Sequence, residues 1–213
     1  MIYIALSLTI VAIAVSAGVE APDAVQTWVS ARQYFGLAAL GALFASVLAA
    51  PLIFVLPWLP INAHLARGRR ALGVSAFTLA AFHVVSYLGP QIRWNWHAIY
   101  SPGGLWVTGL LFGAALFAGM GRLALTSTDE AVRRLGPKRW KKLHRSVYVL
   151  VPGVLIHAIL VGADFGLNRG PDVKSQPDAG CLIGFALLVA AWTFFVVLRK
   201  RRLRWTPRRL RQA

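Results

Sequence analysis

Three of the five histidines in this 213-residue chain stand in, or at the mouth of, long apolar runs: His83, His144 and His157. An ionisable side chain inside a membrane helix is costly unless it is paired or bound, so each of them calls for a partner. His83 comes thirteen residues after Arg70, and His157 twelve after Arg145. At a helical rise of about 1.5 Å per residue, both lie ~18–20 Å from the basic end of their helices, nearly level in a hydrocarbon core ~30 Å thick. Two neutral imidazoles on neighbouring helices at one depth can ligate a single haem iron from opposite faces. The matched depth favours this reading over two unrelated polar residues lining a cavity.

His144 differs. It sits thirteen residues before His157 at the basic mouth of the same run. An ideal helix turns the two ~140° apart, so they share no clean stripe, although Pro152-Gly153 between them disturbs the phase. Spacing alone leaves two readings open. His144 is a ligand of a second, inner haem, with His64 at its level or with Arg69 or Arg70 assisting the carboxylates, or it is an interfacial histidine among basic residues. His64 follows a proline-punctuated exit and reads as interfacial. His97, in Arg93-Trp94-Asn95-Trp96-His97, reads as part of an aromatic belt.

These residues need helices that cross a membrane. Hydrophobic residues make up 57% of the chain and mean hydropathy is +0.60, well above a soluble domain at roughly 45–50% apolar. Only 14% of residues are charged, yet the formal net charge is +16. A nucleic-acid binder would also be basic, but would not carry several helix-length apolar runs. Six candidate spans follow, at about 2–19, 34–56, 71–88, 104–125, 144–161 and 179–198. The expectation is an all-α integral membrane protein, one six-helix transmembrane bundle over residues 1–213 with no separate soluble domain. The first run ends in Val15-Ser16-Ala17, which could pass for a signal-peptidase site, but no Lys or Arg precedes it, so a retained helix is expected. Of the 23 Lys and Arg residues, 19 fall after the second and fourth runs and in the tail, which places both termini in the cytoplasm.

The chain lacks a glycine-rich dinucleotide fingerprint, a Walker loop and a Cys-x-x-Cys-His motif, and its single cysteine is Cys181. Any haem is therefore held without thioether bonds, and electrons must come from a quinol or from a separate flavoprotein.

Two stretches resemble one family. Arg69-Arg70-Ala71-Leu72-Gly73 followed by Ala81-Phe82-His83-Val84-Val85-Ser86-Tyr87 is similar to the third helix of MsrQ, also called YedZ. So is Leu125-Thr126-Ser127-Thr128 with Leu135-Gly136-Pro137-Lys138-Arg139-Trp140-Lys141-Lys142-Leu143-His144-Arg145-Ser146-Val147-Tyr148, ending at His157. The likeness places the chain in the ferric-reductase-like transmembrane superfamily. It covers Arg67 to Ala158 well and the rest by helix count; towards the N-terminus only Arg32, Gly36 and Pro51-Leu52 match. The resemblance implies a b-type haem held by His83 and His157, with His144 also in the family's histidine set, and an associated FMN. It implies a bacterial inner-membrane subunit fed by the quinone pool or a cytoplasmic flavin reductase. Its acceptor would be the periplasmic molybdopterin enzyme MsrP, which repairs methionine sulfoxide. Arg69, Arg70 and Arg145 are candidates to neutralise haem carboxylates or to bind flavin phosphate. The alternatives are a stand-alone ferric-reductase-like cytochrome b with a different acceptor, or a non-redox transporter or assembly factor whose histidines line a cavity.

Overall fold

The computed structural model describes residues 2–20, 24–100, 103–162 and 179–205, and within these the ordered elements are all helical. In chain order they are α1 (Ile2–Glu20), α2 (Ala24–Val55), α3 (Asn62–Ser86), a π-helical turn (Tyr87–Gln91), α4 (His97–Tyr100), α5 (Gly104–Leu125), α6 (Asp129–Leu135), α7 (Pro137–His144), α8 (Val147–Val161) and α9 (Ala179–Trp205). Five helices are long and apolar enough to cross a membrane: Gln26–Val55, Asn62–Gly89, Gly104–Leu125, Pro137–Val161 and Leu182–Arg201. Ala5–Val19 is apolar but shorter.

Two helices start earlier than the apolar runs suggest. α2 begins ten residues before Tyr34 and α3 nine before Ala71. The added segments are polar but helix-competent, and hydropathy alone reads them as loop. The first of them carries Arg32 into the protein interior. Between α2 and α3 the chain turns through Pro57 and Pro60, and the Asn62 amide Nδ2 donates to the Leu56 carbonyl at 2.6 Å to close the turn.

The span Pro137–Val161 consists of α7 and α8 joined by a tight turn. α7 ends at His144, and hydrogen bonds from Ser146 N to Leu143 O, Tyr148 N to Arg145 O and Val149 N to Ser146 O tighten the chain into three-residue turns before α8. The phase between His144 and His157 is therefore reset at Arg145-Ser146. Pro152 lies within continuous α8. Upstream, Thr128 caps α6 by accepting from Ala131 N at 3.1 Å, with Asp129 and Glu130 in the first turn and Arg133 and Arg134 in the last, matching the helix dipole. Gly136, at φ 75°, ends α6, and Pro137 starts α7.

α2 is the central helix. One buried cluster joins its Leu40, Leu43, Phe44 and Val47 to Ala76 of α3, Met120 of α5 and Val151 of α8. Another joins Ala31, Phe35 and Ala39 to Ala17 of α1 and Leu79 of α3. Lipid is as apolar as leucine, so such helices associate through close packing of small residues. α5 and α8 illustrate it. A Cβ on Gly109 would come within 2.3 Å of Val161 Cγ1, one on Gly119 within 2.8 Å of Leu150 Cδ2, and one on Gly153 within 2.6 Å of Leu116 Cδ2. The outward faces remain apolar, as at Val149 and Leu187, which are 73% and 65% exposed.

Gly109→Ala is expected to push the end of α8 away and to lower stability by about 1–3 kcal/mol, the usual range for overpacking. Gly41→Ala, where an added Cβ meets nothing within 4 Å, is expected to leave stability unchanged or slightly raised. Thermal unfolding of both variants in the same detergent checks the difference.

Candidate functional site

His83 and His157 are held in the same way. The Nδ1 of His83 lies 2.9 Å from the Arg32 carbonyl oxygen of α2. The Nδ1 of His157 lies 3.0 Å from the Gly109 carbonyl oxygen of α5. A carbonyl only accepts, so Nδ1 carries the proton in both rings and Nε2 keeps its lone pair. In each case a glycine stands four residues after the accepting carbonyl. A Cβ on Gly36 would lie 2.9 Å from His83 Nδ1, and one on Gly113 would lie 2.4 Å from His157 Cε1. The carbonyl at position i already receives the helical N–H of i+4. Only a residue without a side chain at i+4 leaves room for an imidazole to share that carbonyl. The Phe35 ring of α2 stacks on the Phe82 ring of α3, centroids 5.2 Å apart.

These residues suit a haem, whose iron they would ligate. They offer two neutral imidazoles, each with its tautomer fixed by a backbone carbonyl, His83 on α3 close against α2 and His157 on α8 close against α5. Fixing Nδ1–H in this way orients the ring and raises the basicity of Nε2. Among the described residues no group of three or more His, Cys, Asp or Glu is placed to hold a metal ion.

His144 belongs to a different cluster at the other end of the helices. Thr126 Oγ1 donates to the Arg122 carbonyl at 2.7 Å and lies 3.2 Å from His144 Nε2, from which it accepts. The His144 ring stacks on Trp140 with centroids 4.0 Å apart. The Trp140 indole donates to the Thr126 carbonyl at 2.8 Å. Arg70 lies over the opposite part of this stack, 5.0 Å from the Trp140 ring, and pairs with Asp129. Arg70 and His144 are thus brought together through Trp140, roughly 20 Å along α3 from His83. The Nε2 of His144 is already a donor. A metal role at this position requires Nδ1 or loss of the bond to Thr126. Arg69 holds α3 to α2, its Nε 3.4 Å from the Ser46 carbonyl. Arg145 is exposed at the turn between α7 and α8, and His64 and His97 are exposed outside both clusters.

The model of the ferric reductase like transmembrane component matches residues 35–155, more than half of the chain. The chain belongs to this family. The matched region encloses Gly36, His83, Gly109, Gly113 and His144 and stops two residues short of His157. Among curated proteins, the haem-binding subunit MsrQ of the protein-methionine-sulfoxide reductase of Rhodospirillum rubrum is 39% identical over 124 residues, which is 57% of this chain and 57% of that protein. The MsrQ of Azospira oryzae is 38% identical over 129 residues, 59% of this chain and 52% of the relative. The magnetosome protein MamZ of Paramagnetospirillum magneticum is 37% identical over 97 residues, 45% of this chain and 15% of MamZ. The chain spans about half the length of the MsrQ relatives it matches. No solved structure matches it.

Four residues of the two sites were not singled out as functional from the sequence: Arg32, Gly36, Gly109 and Gly113. A signal was present. Arg32-x-x-x-Gly36 and Gly109-x-x-x-Gly113 share one spacing, and the second is a small-residue motif of closely packed membrane helices.

Trp140→Leu is expected to remove the indole hydrogen bond, the His144 stack and the Arg70 contact together, at about 2–4 kcal/mol. Amide exchange in α7 should accelerate strongly. Asp129→Asn breaks only a solvent-exposed ion pair and should cost under about 1 kcal/mol.

Proposed function

We propose that the chain is a membrane cytochrome b that carries electrons across the bacterial inner membrane, with His83 and His157 as the axial ligands of one haem. The observation that carries this reading is the pair of matched cradles, each presenting one Nε2 lone pair from a proton-fixed imidazole. The haem, when bound, supplies one-electron chemistry by cycling between ferric and ferrous iron. The residues of the chain orient the two imidazoles and keep Nδ1–H on backbone carbonyls. In this reading residues 1–213 form one domain of six transmembrane helices, α1 being the first, with both termini in the cytoplasm.

The acceptor we propose is a periplasmic methionine sulfoxide reductase of the MsrP type, as the MsrQ likeness suggests. The donor is the quinone pool or a cytoplasmic flavin reductase docking on the basic face that carries α6 and α7. Arg69, Arg70 and Arg145 lie on that face, where they would offset carboxylate or phosphate charge. His144 acts in electron entry or as a ligand of a second, inner haem. FMN enters the proposal from the MsrQ likeness alone, and flavin fluorescence after denaturation of purified protein tests for it. A second reading rests on the family match and the MamZ likeness: a ferric-reductase-like cytochrome serving another acceptor. Electron transfer to purified MsrP in reconstituted membranes separates the two.

The first measurement is a dithionite-reduced absorbance spectrum of the purified chain. It should show sharp b-type bands that disappear in His83→Ala and in His157→Ala. Gly113→Ala should broaden or weaken them, because its methyl falls on the His157 ring. Purified protein without haem bands, or bands that survive both histidine substitutions, would overturn the assignment.

A further inference from the structure

Arg32 is the only charged side chain in the buried class among the described residues, with 9% of its surface exposed. Its backbone carbonyl holds His83, and its guanidinium lies 5.6 Å from the centre of the Tyr87 ring. Tyr87 follows His83 by four residues, so it shares the face of α3 that carries the imidazole, about one turn further along. The Tyr87 hydroxyl accepts from Trp106 Nε1 at 3.3 Å, and both residues are buried. Trp106 in turn precedes Gly109, the His157 acceptor, by three residues on α5. α3 and α5 run in opposite senses, so that one turn after His83 and one turn before Gly109 arrive at the same place. The guanidinium, phenol and indole therefore form a single shelf one turn beyond both imidazoles, at the end of the helices away from His144.

A planar tetrapyrrole ligated between His83 and His157 carries its two carboxylates on one edge. The shelf offers a buried guanidinium one turn from both imidazoles, where such a carboxylate would find its counter-charge. Arg69 and Arg70 lie roughly 20 Å away along α3 and cannot reach it. An arginine fork suits a carboxylate, and the tyrosine face below it holds the guanidinium in plane. We propose that Arg32 receives a carboxylate of the haem held by His83 and His157, and that its fixed positive charge raises the midpoint potential of that haem. The inference rests on the haem reading above and adds a positioning residue to it. The sign follows from charge: ferrous haem carries one positive charge fewer than ferric haem, so a nearby cation favours the reduced form.

The test is spectroelectrochemical titration of the full chain with its haem. Arg32→Met keeps the apolar stem and removes the buried charge. It should lower the ratio of reduced to oxidised haem about tenfold at a fixed poise, which for one electron is about 59 mV. Arg32→Lys keeps a cation there and should recover most of the difference. An unchanged potential in Arg32→Met, or equal shifts in Met and Lys, overturns the Arg32 assignment while haem bands in the same samples leave the haem reading standing. Absence of haem bands from the wild-type protein removes both. A measurement independent of any substitution uses wild-type protein loaded with iron protoporphyrin or with its dimethyl ester. The ester should dissociate at least about tenfold faster, and equal rates overturn the proposal.

Discussion

A histidine N–H buried between membrane helices must find an acceptor, and almost every carbonyl around it is already used. Leaving such a donor unmet costs about as much as a lost hydrogen bond or more. The structure meets this demand by sharing a helical carbonyl, and a helix can share one only where the residue a turn later lacks a side chain. Gly36 and Gly113 are those residues, and in each site the imidazole occupies the space a Cβ would fill. The rest of the architecture follows. α2 must extend far enough to bring Arg32 beside α3, and α5 must run against α8 closely enough for the Gly109 carbonyl to reach His157.

The same requirement explains why packing in this chain is uneven. The α5–α8 contact is lined by glycines and is tight, because backbone proximity is what the His157 bond needs. The opposite end relies on aromatic and charged side chains instead. There Trp140 links Thr126, His144 and Arg70 through one ring, joining α3, α5 and α7 with side-chain groups that tolerate partial exposure. One end holds two imidazoles with free lone pairs, while the other commits the His144 Nε2 to a hydroxyl. The two ends thus differ in chemistry although each is built around histidine.

Helical rise and the position of the basic edge put His83 and His157 at one expected depth from residue spacing alone. Helix 104–125 was legible for a related reason: a glycine pair and a polar Thr-Ser-Thr segment bound its apolar run. The glycine cradles were not, since their meaning depends on which helix faces which, and hydropathy carries no such information. Arg32 looked like an outer-loop residue because a polar start to a long helix and a loop share the same composition. The break at Arg145-Ser146 was hidden too. Nothing in Leu143-His144-Arg145-Ser146-Val147 breaks a helix by propensity, and the turn is set by tertiary contacts of α7. Pro152, which looked like the point where phase is lost, sits inside an unbroken α8 with its missing N–H accommodated.

The shared-carbonyl cradles have a consequence for rate. Each imidazole is fixed by a hydrogen bond to a helical carbonyl and sits close against a glycine of the same helix. A ligand ring pinned in this way has little freedom to tilt or slide when the charge on a bound iron changes. In the proposed cytochrome, the inner-sphere reorganisation of each electron step would be kept small, because the ligands would be preorganised for both oxidation states. Two glycines that contribute no atoms to any ligand set would then tune how fast the centre turns over, by holding still the groups that do.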